Sequence, residues 1–244
     1  MSLPKIDNIF TVVHLPIEGI DVKVYGFTVR EEKTLIAANM SGDIDAEAAV
    51  IDLIKSKVPS VDVENLTVTD IIFLFITILG ISKGTSQDFI YKCNNLINDK
   101  LCGNKIKVPV SLSNFVITGK SNNHKLIHVN DSISIELVYP SYKVYSYLKQ
   151  FEKSTSEYIF RLYSKCIYAV YTGDDATTEF TDDEIYNWIM TLPSTVIKDF
   201  ESFISAMPTL SVKYDVVCDK CGYKETVEIK NILSFFTQPS QEKI

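Results

Sequence analysis

The chain has 244 residues, which is enough to bury a substantial hydrophobic core. Its 31 Asp and Glu residues outnumber its 24 Lys and Arg residues, and the formal net charge at pH 7 is -7. This charge argues against general nucleic-acid binding, because such binding requires a basic surface. Residues Leu3 to Asp7 lack the apolar run of a secretory signal peptide, so we expect a cytoplasmic protein.

Two alternating segments, Phe10 to His14 and Val22 to Val29, predict an opening β-hairpin. The spacing of the apolar residues then changes from that of a strand to that of a helix. It predicts helices over Arg30 to Met40 and Asp45 to Ile54. The most apolar stretch, Ile71 to Ile81, is about half as long as the ~20 residues that a membrane-spanning helix needs. It therefore predicts a buried helix and no membrane span.

In the second half, Lys125 to Val129 and Ser132 to Tyr139 alternate around a turn and predict another hairpin. Apolar residues at three- and four-residue spacing predict a helix between Ser154 and Tyr171. Thr181 and Glu184 form a capping-box motif that predicts a further helix start. The remaining predicted elements are a helix that ends before Pro208, a strand from Leu210 to Val217 and an apolar end segment from Ile232 to Phe236.

These elements indicate an α+β fold in which a helical body is inserted between two halves of a β-rich module. We expect one domain over residues 1–244. Its predicted sub-regions are an N-terminal hairpin with helices (1–60), a first cysteine knuckle with hairpins (87–139), a helical region (141–207) and a second knuckle (210–236).

Two stretches more than a hundred residues apart repeat one pattern around a cysteine pair that ends in Cys-Gly. Both place Lys three residues after the second cysteine, Val after six, and Val or Ile after eight. A cysteine pair on a tight turn, followed by a glycine and a strand, is typical of a zinc knuckle. The repeated residues are Cys93, Cys102 and Gly103 in the first stretch and Cys218, Cys221 and Gly222 in the second.

The simplest hypothesis is one structural Zn2+ ion held by four thiolates, two from each knuckle: Cys93, Cys102, Cys218 and Cys221. The two-residue spacing of the second pair favours it. The first pair encloses eight residues, Asn94 to Leu101, which predict a bulged loop, and Asp99 is an alternative oxygen ligand. The competing interpretation is a reduced protein whose duplicated module has lost its metal, with ordinary buried cysteines. The fifth cysteine, Cys166, is predicted to lie in the core.

No residue pattern predicts an active site. His124 and His128 are four residues apart where a turn runs into a strand, which separates their side chains by about 13 Å, too far to share a metal ion. The sequence has no phosphate-binding loop, nucleophile elbow or dinucleotide fingerprint. We therefore predict a protein that is not an enzyme and has no small-molecule substrate.

A run of tyrosines surrounds the corner at Pro140, in a segment too polar to be fully buried. Large amphipathic side chains of this kind are favoured at protein interfaces. We predict a partner-binding face formed by Tyr139, Tyr142, Tyr145 and Tyr147.

The order of several short sequences resembles a known family over nearly the whole chain. They are Leu3-Pro4-Lys5, Val29-Arg30-Glu31-Glu32-Lys33, Ile106 to Leu112, Val138-Tyr139-Pro140-Ser141, Cys166-Ile167 through Tyr171 to Gly173-Asp174, Met207-Pro208-Thr209-Leu210-Ser211, Cys218-Asp219-Lys220-Cys221-Gly222 and Phe235-Phe236. Together they resemble the baseplate hub assembly proteins of T-even-type contractile-tailed phages. In that family both knuckles have a two-residue cysteine spacing, from which the spacing of Cys93 and Cys102 departs.

The resemblance implies a non-catalytic protein that helps to build or form the central hub of the tail baseplate. Its partners would be other hub and tail proteins, and it would act in the cytoplasm of the infected bacterium or remain in the virion tail. From the residues alone, an alternative is a zinc-ribbon adaptor that binds nucleic acid or a regulatory partner. That alternative predicts a salt-sensitive affinity for DNA or RNA.

Overall fold

The computed structural model describes residues 9–119 and 122–229. Within these ranges the chain combines α-helices with several small antiparallel sheets, so the predicted mixture of helix and sheet is confirmed. The helices are α1 (Val29–Ser41), α2 (Asp43–Lys57), α3 (Val68–Lys83), α4 (Tyr142–Leu148), α5 (Ser156–Lys165), α6 (Asp182–Ile189) and α7 (Ser194–Ser205). The strands are β1 (Phe10–His14), β2 (Asp21–Tyr25), β3 (Ser86–Lys92), β4 (Leu96–Ile97), β5 (Lys100–Leu101), β6 (Lys105–Ser111), β7 (Val116–Thr118), β8 (His124–His128), β9 (Ile133–Val138), β10 (Ile167–Thr172), β11 (Asp175–Thr177), β12 (Thr209–Val217) and β13 (Lys224–Ile229).

The chain opens with the predicted hairpin of β1 and β2. Strand β2 ends at Tyr25, before the predicted limit at Val29, because Thr28 caps α1 and Val29 is the first residue of that helix. The Thr28 hydroxyl accepts the N–H of Glu31, and the Glu31 carboxylate accepts the N–H of Thr28 at 2.7 Å. This capping box satisfies backbone groups that an uncapped helix start leaves unpaired.

Helix α3 is the predicted apolar helix, and it forms the centre of a first hydrophobic core. Side chains from α2, β2, β3, β6, β12 and β13 pack in the same core, and Phe75 of α3 is fully buried. Elements from both ends of the sequence therefore cover α3, which explains its apolar character on all sides. Among the described helices, none has the length and apolar character needed to cross a membrane.

A buried carboxylate at the start of α3 ties this helix to the N-terminal hairpin. Asp70 is completely buried and accepts the backbone N–H groups of Ile17 at 3.0 Å and Glu18 at 3.2 Å. It also accepts the hydroxyl of Thr67, whose oxygen in turn accepts the N–H of Asp70. Burial raises the pKa of Asp70, and these hydrogen bonds reverse only part of that effect.

We expect Asp70→Ala to lower the free energy of unfolding by about 2–3 kcal/mol, because it leaves buried donors without an acceptor. Denaturant titration measures this change. The matched control is Asp62→Ala, since Asp62 accepts the N–H of Glu64 at the exposed start of a short 3-10 helix, Val63–Asn65, and should contribute about 1 kcal/mol. Equal losses for the two variants would contradict the role given to Asp70.

A second hydrophobic core lies between a four-stranded sheet, in the order β11-β10-β9-β8, and helices α5, α6 and α7. Phe200 of α7 is fully buried there, and its ring centroid is 5.3 Å from that of Tyr163 on α5. The hairpin of β8 and β9 and the capping box at Thr181 are both confirmed.

The predicted helix from Ser154 to Tyr171 is wrong in its second half, since α5 ends at Lys165 and β10 follows. The region inserted between β9 and β12 is therefore helical with two strands. The N–H of Cys166 closes the last turn of α5, and the next residues are rich in β-branched and aromatic side chains. The apolar residues of this segment fit both a helix and a strand, and pairing of β10 with β9 selects the strand.

Two antiparallel ribbons carry the knuckle cysteines. Strand β3 pairs with β6 along its whole length, and β12 pairs with β13. Strand β7 joins the other edge of β12 near its start. Cys93 directly follows β3 and Cys218 directly follows β12, so each pair lies at a ribbon end. The predicted segments Leu3-Pro4-Lys5 and Ile232 to Phe236 lie outside the described residues.

Candidate metal centre

The turn at the end of the first ribbon is closed by two backbone hydrogen bonds. The N–H of Cys93 donates to the carbonyl of Asn104 at 2.8 Å, and the N–H of Gly103 donates to the carbonyl of Cys93 at 3.0 Å. Gly103 has a φ of 61°, a conformation that glycine adopts without the strain of a side chain. The glycine after the second cysteine therefore allows the chain to turn back into β6.

The turn at the end of the second ribbon repeats this arrangement. The N–H of Cys218 donates to the carbonyl of Tyr223 at 2.8 Å, and the N–H of Gly222 donates to the carbonyl of Cys218 at 2.8 Å. Gly222 has a φ of 71°. The repeated sequence pattern thus corresponds to the same local backbone structure in both turns.

The two turns bring four thiol groups together. All four sulfur atoms lie within 4.8 Å of one another. Sγ of Cys93 is 3.7 Å from Sγ of Cys221, and Sγ of Cys102 is 3.8 Å from Sγ of Cys218, a residue 116 positions away in sequence. Three of these cysteines are buried and Cys221 is partly exposed. The structure therefore unites all four predicted ligands.

The dimensions of this cluster fit one tetrahedral metal ion. Four sulfur ligands about 2.3 Å from a central ion are separated from one another by about 3.8 Å. Two of the cross-turn distances, 3.7 and 3.8 Å, agree with that value. Asp99, the alternative ligand, lies in a separate turn and outside the cluster, which holds only cysteines among the described residues. Four thiolates form a closed site without an open coordination position.

The backbone of the turns also favours ionised sulfur, which is the form that binds metal. Burial raises the pKa of Cys218, but the N–H groups of Cys221 and Lys220 donate to its sulfur and outweigh burial, so the pKa falls to about 6. Burial raises the pKa of Cys93, and the neighbouring thiols raise it further. One thiolate forms readily in the cluster, and its negative charge opposes ionisation of the neighbouring thiols. A bound cation would remove this repulsion between thiolates.

Side chains cross between the turns and donate to the sulfur atoms of the opposite pair. The Asn104 amide donates to Sγ of Cys218 at 3.6 Å and to the Asp219 carboxylate at 2.5 Å. The Asn95 amide donates to Sγ of Cys221 at 3.7 Å. These bonds orient the sulfur atoms, as hydrogen bonds from neighbouring residues orient the ligands of metal sites.

Sequence reasoning did not identify these crossing amides. The available signal was an asparagine two residues after each cysteine of the first pair, at Asn95 and Asn104. Nor did it identify the hydrogen bond from the Tyr91 hydroxyl to the Glu225 carboxylate, which joins the two ribbons beside the cluster. Such cross-ribbon partners depend on how two distant segments meet, which the local pattern does not specify.

The first pair differs from the second in the chain between its cysteines. The predicted bulged loop is instead a small hairpin, in which β4 pairs with β5. The N–H of Cys102 donates to the carbonyl of Asn95 at 2.8 Å and closes the base of this hairpin. The long spacing therefore leaves the position of Cys102 in the cluster unaffected.

The remaining cysteine and the paired histidines lie apart from the cluster. Cys166 is completely buried, as predicted, and burial raises the pKa of its thiol to about 12. His124 and His128 both lie on β8, where Nδ1 of His124 is 2.8 Å from the Glu136 carboxylate and Nδ1 of His128 is 2.8 Å from the Ser134 hydroxyl. Neither histidine belongs to a metal-ligand cluster among the described residues.

The first two of the four predicted interface tyrosines make internal contacts. Tyr139 is buried in the second core and stacks on Phe203, with ring centroids 4.4 Å apart. Tyr142 donates its hydroxyl to the Glu47 carboxylate at 2.9 Å. The ring of Tyr139 thus contributes to the core, and Tyr142 links α4 to α2.

The other two tyrosines are half-buried on α4. Burial raises the pKa of Tyr145, and the Tyr147 hydroxyl accepts a hydrogen bond from Arg161 at 3.3 Å. The partner-binding role of the four tyrosines stays a prediction.

The chain is thus a mixed helix-and-sheet protein in which four cysteines form a centre that could bind a metal ion. The family model described as T4 bacteriophage base plate protein matches residues 7–237. The chain belongs to this family of phage baseplate proteins. No curated protein and no solved structure matches it.

Proposed function

We propose that this chain is a non-catalytic baseplate protein that acts in the assembly or structure of the central hub through contacts with other hub and tail proteins. The family match over residues 7–237 carries this proposal. Assembly would take place in the cytoplasm of the infected bacterium. A metal ion held by the four cysteines would have no open position for a substrate, which supports a structural rather than catalytic role for this centre.

We also propose that the cysteine cluster holds one structural Zn2+ ion, which makes the two turns zinc knuckles of a single centre. Soft thiolate donors in tetrahedral arrangement suit zinc. The sulfur distances and the N–H groups directed at sulfur support the assignment. A bound ion would supply positive charge to the thiolates, and the chain itself would hold the ribbons around it through the crossing amides of Asn95 and Asn104.

Quantitative mass spectrometry of purified phage particles and of baseplate intermediates tests the hub role. We expect the chain to be enriched with hub proteins in at least one of these samples. A fixed copy number in mature particles would identify a structural subunit, whereas enrichment in intermediates alone would identify an assembly factor. Absence of the chain from both samples would contradict the proposed function.

A further inference from the structure

The hairpin between Cys93 and Cys102 has no counterpart in the second turn. Residues 96–101, here called the finger, form an extra segment of six residues. Asn94 and Asn95 take the place of the two residues between Cys218 and Cys221, and the bond from Cys102 to the Asn95 carbonyl closes the turn beneath the finger. The second turn shows that two residues suffice to bring a cysteine pair into the cluster, so the finger is unnecessary for the metal centre.

The finger exposes apolar side chains. Leu96 and Leu101 are opposite each other across the small hairpin and remain 62% and 65% exposed. Ile97, on the alternate face, is 41% exposed. None of the three belongs to a hydrophobic core of the described residues. Six residues thus place three large apolar side chains in water. Packing in a core does not explain why these residues are apolar.

The backbone of the finger forms a tight hairpin. Asn98 and Asp99 have φ angles of 48° and 60°, the left-handed pair that characterises a tight hairpin turn. The two ends of the finger are anchored by Cys93 and Cys102 of the cluster. A preorganised apolar projection loses little conformational entropy on binding, which favours its use in recognition.

The stretch of sequence that carries the finger is basic in an otherwise acidic chain. Residues 92–107 contain four lysines and one aspartate, a net charge of +3 in a chain whose net charge is -7. Lys92 and Lys105 are directly opposite each other across the first ribbon, and Lys107 follows on the same exposed face, where it pairs with the Asp88 carboxylate at 2.8 Å. Lys100 lies within the finger itself and is exposed. A complementary surface would therefore be acidic around an apolar centre.

We propose that the finger docks into an apolar groove with an acidic rim on another baseplate protein, an inference that rests on the proposed function. The leucine pair would enter the groove, and Lys92 and Lys100 would face the rim. The polar residues Asn98 and Asp99 occupy the tip of the finger, so its apolar surface lies along the sides. This arrangement fits sideways packing into a protein groove and opposes tip-first insertion into a lipid bilayer.

The experiment measures binding of the purified full chain, loaded with zinc, to each purified baseplate protein of the same phage by titration calorimetry. The first variant is Leu96→Ser with Leu101→Ser. Its matched control is Leu126→Ser with Met190→Ser, which replaces residues that are 53% and 56% exposed elsewhere on the surface. A third variant deletes residues 96–101, which leaves Cys93-Asn94-Asn95-Cys102 and the spacing of the second knuckle. All variants should retain zinc, which is checked by metal analysis.

We expect the leucine double variant and the deletion to weaken binding to one baseplate protein by about tenfold or more, and the control by about twofold or less. Binding by the wild-type chain should also weaken with added salt, because lysines meet an acidic rim. If the wild-type chain binds but the finger variants bind equally well, the finger proposal fails and the proposed function stands. If the wild-type chain binds no baseplate protein, both fail.

Three further binding experiments test other classes of partner for the finger. Finger-dependent binding to vesicles that contain phosphatidylglycerol would overturn the proposal in favour of a membrane surface. Finger-dependent self-association in sedimentation velocity would overturn it in favour of a second copy. Finger-dependent binding of a DNA duplex or a single-stranded RNA would overturn it in favour of nucleic acid. Binding to none of the three, together with tenfold weaker binding to a baseplate protein, is the expected result.

Discussion

Replacing Cys218 and Cys221 together by serine should abolish zinc binding and unfold the two ribbons. Structural zinc contributes on the order of 10 kcal/mol in small zinc modules, which is comparable to the whole stability of about 5–15 kcal/mol of a typical domain. We expect a large loss because the proposed ion would link Cys102 and Cys218, which are 116 residues apart. Metal analysis and thermal unfolding followed by circular dichroism measure the two effects.

Cys166→Ala is the control for this experiment, since Cys166 is buried but lies outside the cluster. The control should keep one zinc ion per chain and lose only the contacts of a small buried side chain. Chelation of the wild-type protein should reproduce the unfolding seen in the double variant. A double variant that contains no metal and still unfolds at the wild-type temperature would refute the structural role of zinc.

Phe75→Ala and Phe200→Ala should each lower the free energy of unfolding by about 3–5 kcal/mol, because each leaves a large cavity in a closely packed core. Phe75 lies in the first hydrophobic core and Phe200 in the second, and both are fully buried. If residues 1–244 form one domain, as the sequence predicts, each variant should shift the same single transition. Denaturant unfolding followed by fluorescence and by far-ultraviolet circular dichroism tests this.

Phe10→Ala provides the matched control on the surface, since Phe10 of β1 is 49% exposed. This substitution should lower the free energy of unfolding by about 1 kcal/mol or less. Two separate transitions, one sensitive only to Phe75→Ala and the other only to Phe200→Ala, would contradict the single-domain prediction. In that case the two cores would unfold independently.

Local chemistry made several elements predictable. The helix that begins after Thr28 follows from hydrogen bonds between residues three apart, and so does the capping box of Thr181 with Glu184. Helix α3 was predictable because its apolar run is too long for a typical strand and too short for a membrane span. The union of the four cysteines was predictable from the repeated Cys-Gly pattern.

Other features depend on contacts that a local pattern does not contain. The segment after Cys166 has apolar residues that fit both a helix and a strand, and pairing with β9 selects the strand. Tyr139 lies in a polar segment but enters the second core because Phe203 of α7 stacks on it. The local pattern between Cys93 and Cys102 likewise does not distinguish a bulged loop from the finger that the structure shows.

The position of the cysteines along the chain has a consequence during protein synthesis. The first pair leaves the ribosome well before the second, and a ribosome that adds about 5–20 residues per second needs roughly 6 to 24 s to proceed from Cys102 to Cys221. Throughout that interval only half of the ligand set exists. Binding of a metal ion by all four thiols would therefore wait until residue 221 has been made, and a product terminated before that residue could not complete the centre.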